Sequence, residues 1–214
     1  MKTVLVDTNI ILWTFSGGPD FKKAITEIAP GYDVAVPSCV ISELEKLETK
    51  HAKAALKYCK TLDIIDIGGM STAPYLKTIV SEKIESERIT KTIKIIQNLS
   101  NIPISVDTCR ASVAKNALEF GVDVINDISG LKYDKNMPKT IEKFQPSLIL
   151  CAYSKKTVNT RHVTETKRLL QESIKIAKSV NISKNKIVVD PAIGFFRNSG
   201  TGFPFTKIKS NWAD

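Results

Sequence analysis

Short apolar segments that alternate with amphipathic segments restrict the fold of this chain more than any other feature of its sequence. Seven segments of three to five residues, rich in Val and Ile, predict buried parallel strands at 3–6, 34–36, 63–67, 104–106, 122–125, 148–151 and 187–189. Longer segments predict helices at 21–29, 40–60, 81–99, 112–120, 138–144 and 164–180. Strands that alternate with helices of this length are typical of βαβ units, so the predicted fold class is α/β with a parallel sheet or barrel.

Length, composition and charge narrow the classes of protein. The chain has 214 residues, which is short of the roughly 250 residues typical of a complete eight-unit (β/α) barrel. Its residues are 43% hydrophobic and 25% charged, as in ordinary globular proteins, which excludes disorder and a disulfide-stabilised miniprotein. A net charge of +9 favours an anionic partner but does not distinguish a phosphate ester from RNA or an acidic membrane.

The cysteines and the N-terminus bear on the cellular compartment. The four cysteines are widely spaced and form no C-x-x-C pair, as expected of buried thiols in a reducing compartment. No segment reaches the ~18 consecutive apolar residues of a membrane span. Residues 1–7 are typical of a strand rather than of a signal peptide. We therefore expect a cytoplasmic protein that does not enter a membrane.

Polar side chains follow several of the predicted strands at the point where each strand ends. Asp107, Asn126 and Asp190 come directly after Val/Ile segments, and Gly68 and Gly69 follow another. In parallel α/β proteins, ligands bind at the carboxyl ends of the strands. Carboxylates there can accept hydrogen bonds from the N–H groups of a flat heterocycle, and an amide can both donate and accept. The alternative for each residue alone is a helix N-cap.

Four of these strand ends resemble the dihydropteroate synthase family, and its archaeal branch most closely. The matching segments occur in the order and spacing of that family, and they are DIIDIGGMSTAP at 63–74, PISVDT at 103–108, VINDISG at 124–130 and VDPAIGF at 189–195. The resemblance extends from about residue 61 to the C-terminus. It implies a partial (β/α) TIM-type barrel in which five of the usual eight strands can be recognised.

The resemblance implies a transferase of folate biosynthesis that binds a pterin. Such an enzyme condenses a 6-hydroxymethyl-dihydropterin pyrophosphate with p-aminobenzoate, assisted by Mg²⁺, and releases pyrophosphate. Asp107, Asn126, Asp190 and Thr72 would then bind the pterin. This chain departs from the family at Met70 and Ala73, where Glu and Arg are usual, and it lacks counterparts of the first strand with its metal-binding loop and of the last two strands. Whether the transferase is active is therefore left open.

Residues 1–60 resemble the amino-terminal half of a PIN nuclease domain. The matching segments are VLVDTNII at 4–11 and VPSCVISELEKL at 36–47. The resemblance implies that Asp7 and Glu43 are two carboxylates of a divalent-metal cluster that cuts RNA. The alternatives are an N-cap for Asp7 and an exposed helix acid for Glu43.

Together the two resemblances predict two incomplete domains. The first is a PIN-like βαβ segment at 1–60, and the second is a pterin-binding segment at 61–214. The leading hypothesis is a pterin-binding protein similar to dihydropteroate synthase, and the alternatives are a metal-dependent ribonuclease or a non-catalytic fusion. Incomplete barrels expose strand edges, so a second copy of the chain or a partner that covers these edges is also expected.

Overall fold

A computed structural model describes residues 2–5, 32–37, 64–70, 79–99, 101–159, 162–192, 194–198 and 202–209. Its contacts divide the chain into two compact units. The first comprises Met1–Gly68 and Lys91–Ser105, and the second comprises Gly69–Thr90 and Val106–Asp214. The boundary between them passes through one helix and one strand.

The first unit contains three parallel strands, β1 (Lys2–Leu5), β2 (Tyr32–Pro37) and β3 (Ile65–Gly68). β1 pairs with β2, and β2 pairs with β3. Ile65, Asp66 and Ile67 of β3 are all buried, which fits a strand covered on both faces and explains its continuous apolar sequence. The strands predicted at 3–6, 34–36 and 63–67 are confirmed, with ends that differ by one to two residues.

The second unit contains the parallel strands β5 (Val124–Asp127), β6 (Ser147–Cys151) and β7 (Ile187–Asp190), together with the second half of β4 (Ile104–Asp107). In the register of β5 with β6, Asn126 lies opposite Ile149. In the register of β6 with β7, Cys151 lies opposite Asp190. The four predicted strands are confirmed, but the predicted burial is wrong for β7, in which Val188 and Val189 are exposed. Asp107, Asn126 and Asp190 lie at the carboxyl ends of β4, β5 and β7.

Four helices lie among the described residues, and the alternation with strands is confirmed. They are α1 (Glu82–Leu99), α2 (Ala111–Glu119), α3 (Met137–Phe144) and α4 (His162–Ser179). Helix α2 buries Val113, Ala114, Ala117 and Leu118, the spacing of one helical face. No helix among the described residues has the length and apolar character needed to cross a membrane. The helices predicted at 21–29 and 40–60 lie outside the described residues.

The segment after β7 forms two very short strands that the sequence did not predict. β8 (Phe196–Arg197) and β9 (Thr206–Lys207) pair in parallel. The end of β6 packs against α4 in a core cluster that contains Cys151, Ala152, Leu169 and Ala192. This cluster connects the carboxyl end of β6 and the segment that follows β7 to α4.

Candidate functional site

Three of the predicted binding residues lie at the carboxyl ends of strands in the second unit. Asp107 ends β4, Asn126 is the penultimate residue of β5, and Asp190 ends β7. Burial raises the pKa of the Cys151 thiol well above its usual range, and the negative charges of Asp190, Asp107 and Asp127 raise it further. Asp107 and Asp190 therefore lie close enough to the Cys151 thiol, at the end of β6, to raise its pKa.

The carboxylate of Asp190 is fixed through both of its oxygens. The backbone N–H of Ala192 donates to Oδ1 at 2.7 Å, and the thiol of Cys151 donates to Oδ2 at 3.5 Å. The backbone of Asp190 also accepts a hydrogen bond from Ala152 N at 2.9 Å. Ala192 has a φ of 58°, which turns the chain back toward the carboxylate after Pro191. Asp190 is half-buried, unlike the fully buried Asp127.

Asn126 and Asp127 leave β5 side by side, and each is buried. Thr108 N donates to the backbone oxygen of Asn126 at 3.0 Å, which joins the end of β5 to the end of β4. The Asp127 carboxylate accepts hydrogen bonds from Ser129 N at 2.7 Å, Ser129 Oγ at 2.6 Å and Leu131 N at 3.0 Å. This carboxylate therefore organises the turn that follows the predicted binding residue.

Burial raises the pKa of Asp127 from 3.8 to about 6. The hydrogen bonds from Ser129 and Leu131 and the positive charge of Lys132 oppose this rise. Burial also lowers the pKa of Lys132 from 10.5 to about 8, and its ammonium donates to Leu169 O at 3.1 Å. A buried acid, Asp127, and a half-buried base, Lys132, thus lie in the turn that follows β5, and burial shifts the pKa of both.

A buried glutamate from α1 supports the end of β4. Glu85, 1% exposed, accepts a hydrogen bond from Thr108 Oγ1 at 2.7 Å and forms an ion pair with Arg110 at 2.6 Å. A Cβ added to Gly69 would lie 2.6 Å from the backbone oxygen of Glu85, so only glycine fits there. The Gly-Gly pair of the sequence is therefore explained in part by its approach to α1.

An aromatic group lies on the loops that follow the strands. The rings of Tyr133 and Phe203 are 4.1 Å apart, and those of Tyr153 and Phe203 are 5.7 Å apart. The ammonium of Lys155 lies 5.3 Å from the Tyr133 ring. Burial raises the pKa of Tyr153 to about 12, so the phenol stays neutral at physiological pH. These residues carry no sequence signal, because their partners come from distant loops.

The remaining predicted site residues lie outside the described residues. They are Thr72 of the pterin prediction and Asp7 and Glu43 of the nuclease prediction. Within the described part of the chain, no group of three or more His, Cys, Asp or Glu side chains could bind a metal ion.

The sequence matches a family model described as pterin binding enzyme over residues 40–206. The chain belongs to this family. The division of the chain at residues 60 and 61 stays a prediction.

Relatives of known identity are dihydropteroate synthases. The chain is 40% identical to the enzyme of Clostridium beijerinckii over 153 residues, which cover 66% of this chain and 54% of that protein. It is 37% identical to the enzyme of Bacillus subtilis over 132 residues, covering 62% of this chain and 46% of that protein. The chain thus spans about half the length of these relatives.

The fold resembles solved structures of the same enzyme. A Clostridium difficile dihydropteroate synthase determined in the presence of pteroic acid matches with a TM-score of 0.62 and 30% identity, covering 91% of this chain and 64% of that one. A Coxiella burnetii dihydropteroate synthase in complex with pteroic acid matches with a TM-score of 0.57 and 32% identity, covering 69% and 55%. The predicted α/β fold, part of a TIM-type barrel, is confirmed. The nuclease alternative finds no support in these comparisons.

Proposed function

We propose that this chain binds a dihydropterin at the carboxyl ends of β4, β5 and β7 and has a role similar to that of dihydropteroate synthase in folate synthesis. The observation that carries the proposal is the position of Asp107, Asn126 and Asp190 at the carboxyl ends of β4, β5 and β7 in one unit, with Asp190 paired to the end of β6. Family membership and two relatives solved with pteroic acid support the same ligand class.

The chemistry of the three side chains suits a pterin. The edge of a pterin carries N–H donors beside ring acceptors. The carboxylates of Asp107 and Asp190 would accept the donors, and the amide of Asn126 would both donate and accept. The two fixed oxygens of Asp190 present its remaining lone pairs in a set direction, which lowers the entropic cost of binding.

The reaction proposed for a complete site is a displacement at carbon. The amino nitrogen of p-aminobenzoate forms a bond to the methylene carbon of the pterin, the bond from that carbon to the pyrophosphate oxygen breaks, and an amine proton leaves. Magnesium would stabilise the departing pyrophosphate. The described residues do not provide a ligand set for that ion, so no step of this proposal runs through it.

Calorimetric titration with 6-hydroxymethyl-7,8-dihydropterin tests the binding site. We expect Asp107→Ala and Asn126→Ala each to weaken binding by about 1–3 kcal/mol, the scale of a lost hydrogen bond with its buried partner left unpaired. Asp123→Ala is the matched control, because Asp123 is exposed and precedes β5 at its other end. Equal affinities for all of these variants and the wild type would show that the pterin binds elsewhere.

A condensation assay distinguishes a binding protein from an enzyme. The wild type is incubated with the dihydropterin pyrophosphate, p-aminobenzoate and Mg²⁺, and dihydropteroate is measured by chromatography. Product that disappears in Asp190→Asn supports the transferase. Pterin binding without product supports the non-catalytic alternative.

Two further expectations belong to the proposal. A cytoplasmic location follows from the cysteine usage and from the soluble substrates of such an enzyme. Self-association, or association with a partner that covers barrel edges, is expected of an incomplete barrel. A sedimentation profile of a well-folded monomer would count against the association.

A further inference from the structure

We infer that Asp127 is a positioning residue for the proposed pterin site, and that its negative charge maintains the turn that fixes Asn126. The inference rests on the proposed function, because it concerns how that same site is kept in its binding geometry. Asp127 has no side-chain exposure to solvent, so it acts through Asn126 rather than by contact with a ligand.

The turn after β5 depends on hydrogen bonds that end on Asp127. Ser129 N and Ser129 Oγ donate to Oδ1, and Leu131 N donates to Oδ2. Gly130 N donates to the backbone oxygen of Asp127 at 2.9 Å. Ser129 Oγ in turn accepts from Tyr133 N at 3.1 Å, which extends the network to the aromatic loop. One side chain therefore satisfies three donors of the segment that leaves β5.

The backbone of this turn is in a conformation that needs such support. Gly130 has a φ of 57° and Leu131 a φ of 67°, and the second value is costly for a residue with a branched side chain. The turn also packs closely, because a Cβ on Gly130 would lie 2.7 Å from the backbone oxygen of Cys151. A small change in the turn would therefore be passed to the ends of both β5 and β6.

An ionised carboxylate is the stronger acceptor for these three hydrogen bonds, because both of its oxygens share the negative charge. A protonated acid has one acceptor position fewer, since its hydrogen occupies a lone pair of one oxygen, and its hydrogen bonds are weaker. The pKa of Asp127 is raised to about 6, mainly by burial, so this change falls near physiological pH. Acidification should loosen the turn and weaken pterin binding.

Titration of the other groups near Asp127 does not explain a loss of pterin affinity between pH 7.5 and 5. The charge of Asp127 raises the pKa of Cys109, Cys151 and Tyr153, which all stay neutral between pH 5 and 7.5. Lys132, with a pKa lowered to about 8, is mostly protonated over that range, and Arg168 and Glu172 of α4 act on it. Asp107 and Asp190 act on Cys151 as well, and they are unchanged in the variants described next.

Stability and binding should respond to pH in opposite directions. The folded state holds Asp127 at a pKa above the ordinary 3.8, so charging this group opposes folding above pH 6. As the pH falls from 7.5 to 5, the contribution of Asp127 to stability therefore rises, while pterin affinity falls. A purely structural role would move stability and affinity together.

The experiment measures pterin affinity and unfolding free energy at pH 5 and 7.5 for the wild type, Asp127→Asn and Ser129→Ala. The ligand is 6-hydroxymethyl-7,8-dihydropterin, whose own titration is common to all proteins. We expect Asp127→Asn to bind roughly tenfold more weakly at pH 7.5, the equivalent of one lost hydrogen bond to a charged group. Between pH 7.5 and 5, the fold-change in its affinity should be smaller than that of the wild type by a factor of roughly three or more.

Ser129→Ala keeps the carboxylate but removes one of its donors, so the pH at which the affinity falls should move upward. This variant decides the matter if Asp127→Asn does not fold, because an unmoved profile would overturn the inference. If Asp127→Asn binds the pterin as tightly as the wild type at both pH values, the inference is overturned but the proposed function is not. Failure of the folded wild type to bind the pterin at pH 7.5 would instead overturn the proposed function, and the inference with it.

Discussion

Asp190 and Asp66 are both acids in Val/Ile-rich strands, but their surroundings assign them different tasks. Asp190 is half-buried at the end of β7, whereas Asp66 is 5% exposed within β3 and is engaged by neighbouring groups. Pro191 favours an extended conformation at Asp190, which carries the strand up to the site. The position of an acid along its strand therefore separates a binding role from a structural one.

Substitution of these two acids should give opposite profiles. We expect Asp190→Asn to weaken pterin binding by about 1–3 kcal/mol, the scale of a lost charged hydrogen bond, with little change in thermal stability. Asp66→Asn should first lower the free energy of unfolding, because it changes a side chain that is buried within β3. Titrations and thermal melts of both variants check the ranking, and the reverse ranking would contradict the assignment of Asp190.

Binding residues that directly follow an apolar segment can be predicted from the sequence. Residues whose role depends on partners far away in the chain cannot. Asp107, Asn126 and Asp190 could be named in advance because each directly follows a Val/Ile segment. Glu85 could not, because α1 contains several acids and only packing selects the one that pairs with Arg110. Asp127 belongs to the VINDISG segment at 124–130, but its burial depends on tertiary packing, which the segment does not reveal.

Among the elements, the turn after β5 has the strictest requirement for glycine. Gly130 has a φ of +57°, and a Cβ there would lie 2.2 Å from Ser173 Oγ and 2.7 Å from Cys151 O. Gly194 has a φ of +91°, but a Cβ there would meet nothing within 4 Å. Both glycines therefore have a positive φ, but only Gly130 is also closely packed.

Alanine at these two glycines should therefore have unequal effects on stability. Gly194→Ala should lower the free energy of unfolding by about 1 kcal/mol, the cost of a left-handed conformation. Gly130→Ala should cost about 3 kcal/mol or more, because the backbone oxygen of Cys151 cannot move without disturbing β6. Urea denaturation compares the two, and equal losses would show that the turn tolerates a side chain.

The strands and helices were predictable because their signals are local. Val/Ile segments define β4 to β7, and the apolar periodicity defines α2. β8 and β9 escaped prediction because each has two residues and forms only through pairing between distant loops. Their sequences contain no alternation that could mark a strand.

For the whole molecule, the length that the chain shares with its relatives bears on the proposed function. The chain spans about half the length of the Clostridium beijerinckii and Bacillus subtilis enzymes, yet it includes the three strand ends proposed to bind a pterin. We propose that these strand ends bind a pterin, and this binding can be tested separately from condensation.

Two-dimensional NMR of the ¹⁵N-labelled chain, titrated with 6-hydroxymethyl-7,8-dihydropterin, tests that claim most directly. We expect saturable shifts for the backbone amides of Asp107 and Asp190 and for the side-chain amide of Asn126. Residues Lys184–Lys186, which precede β7 at its other end, should not shift. A folded chain whose spectrum does not change, or changes only around Lys184–Lys186, would show that these strand ends do not bind the pterin.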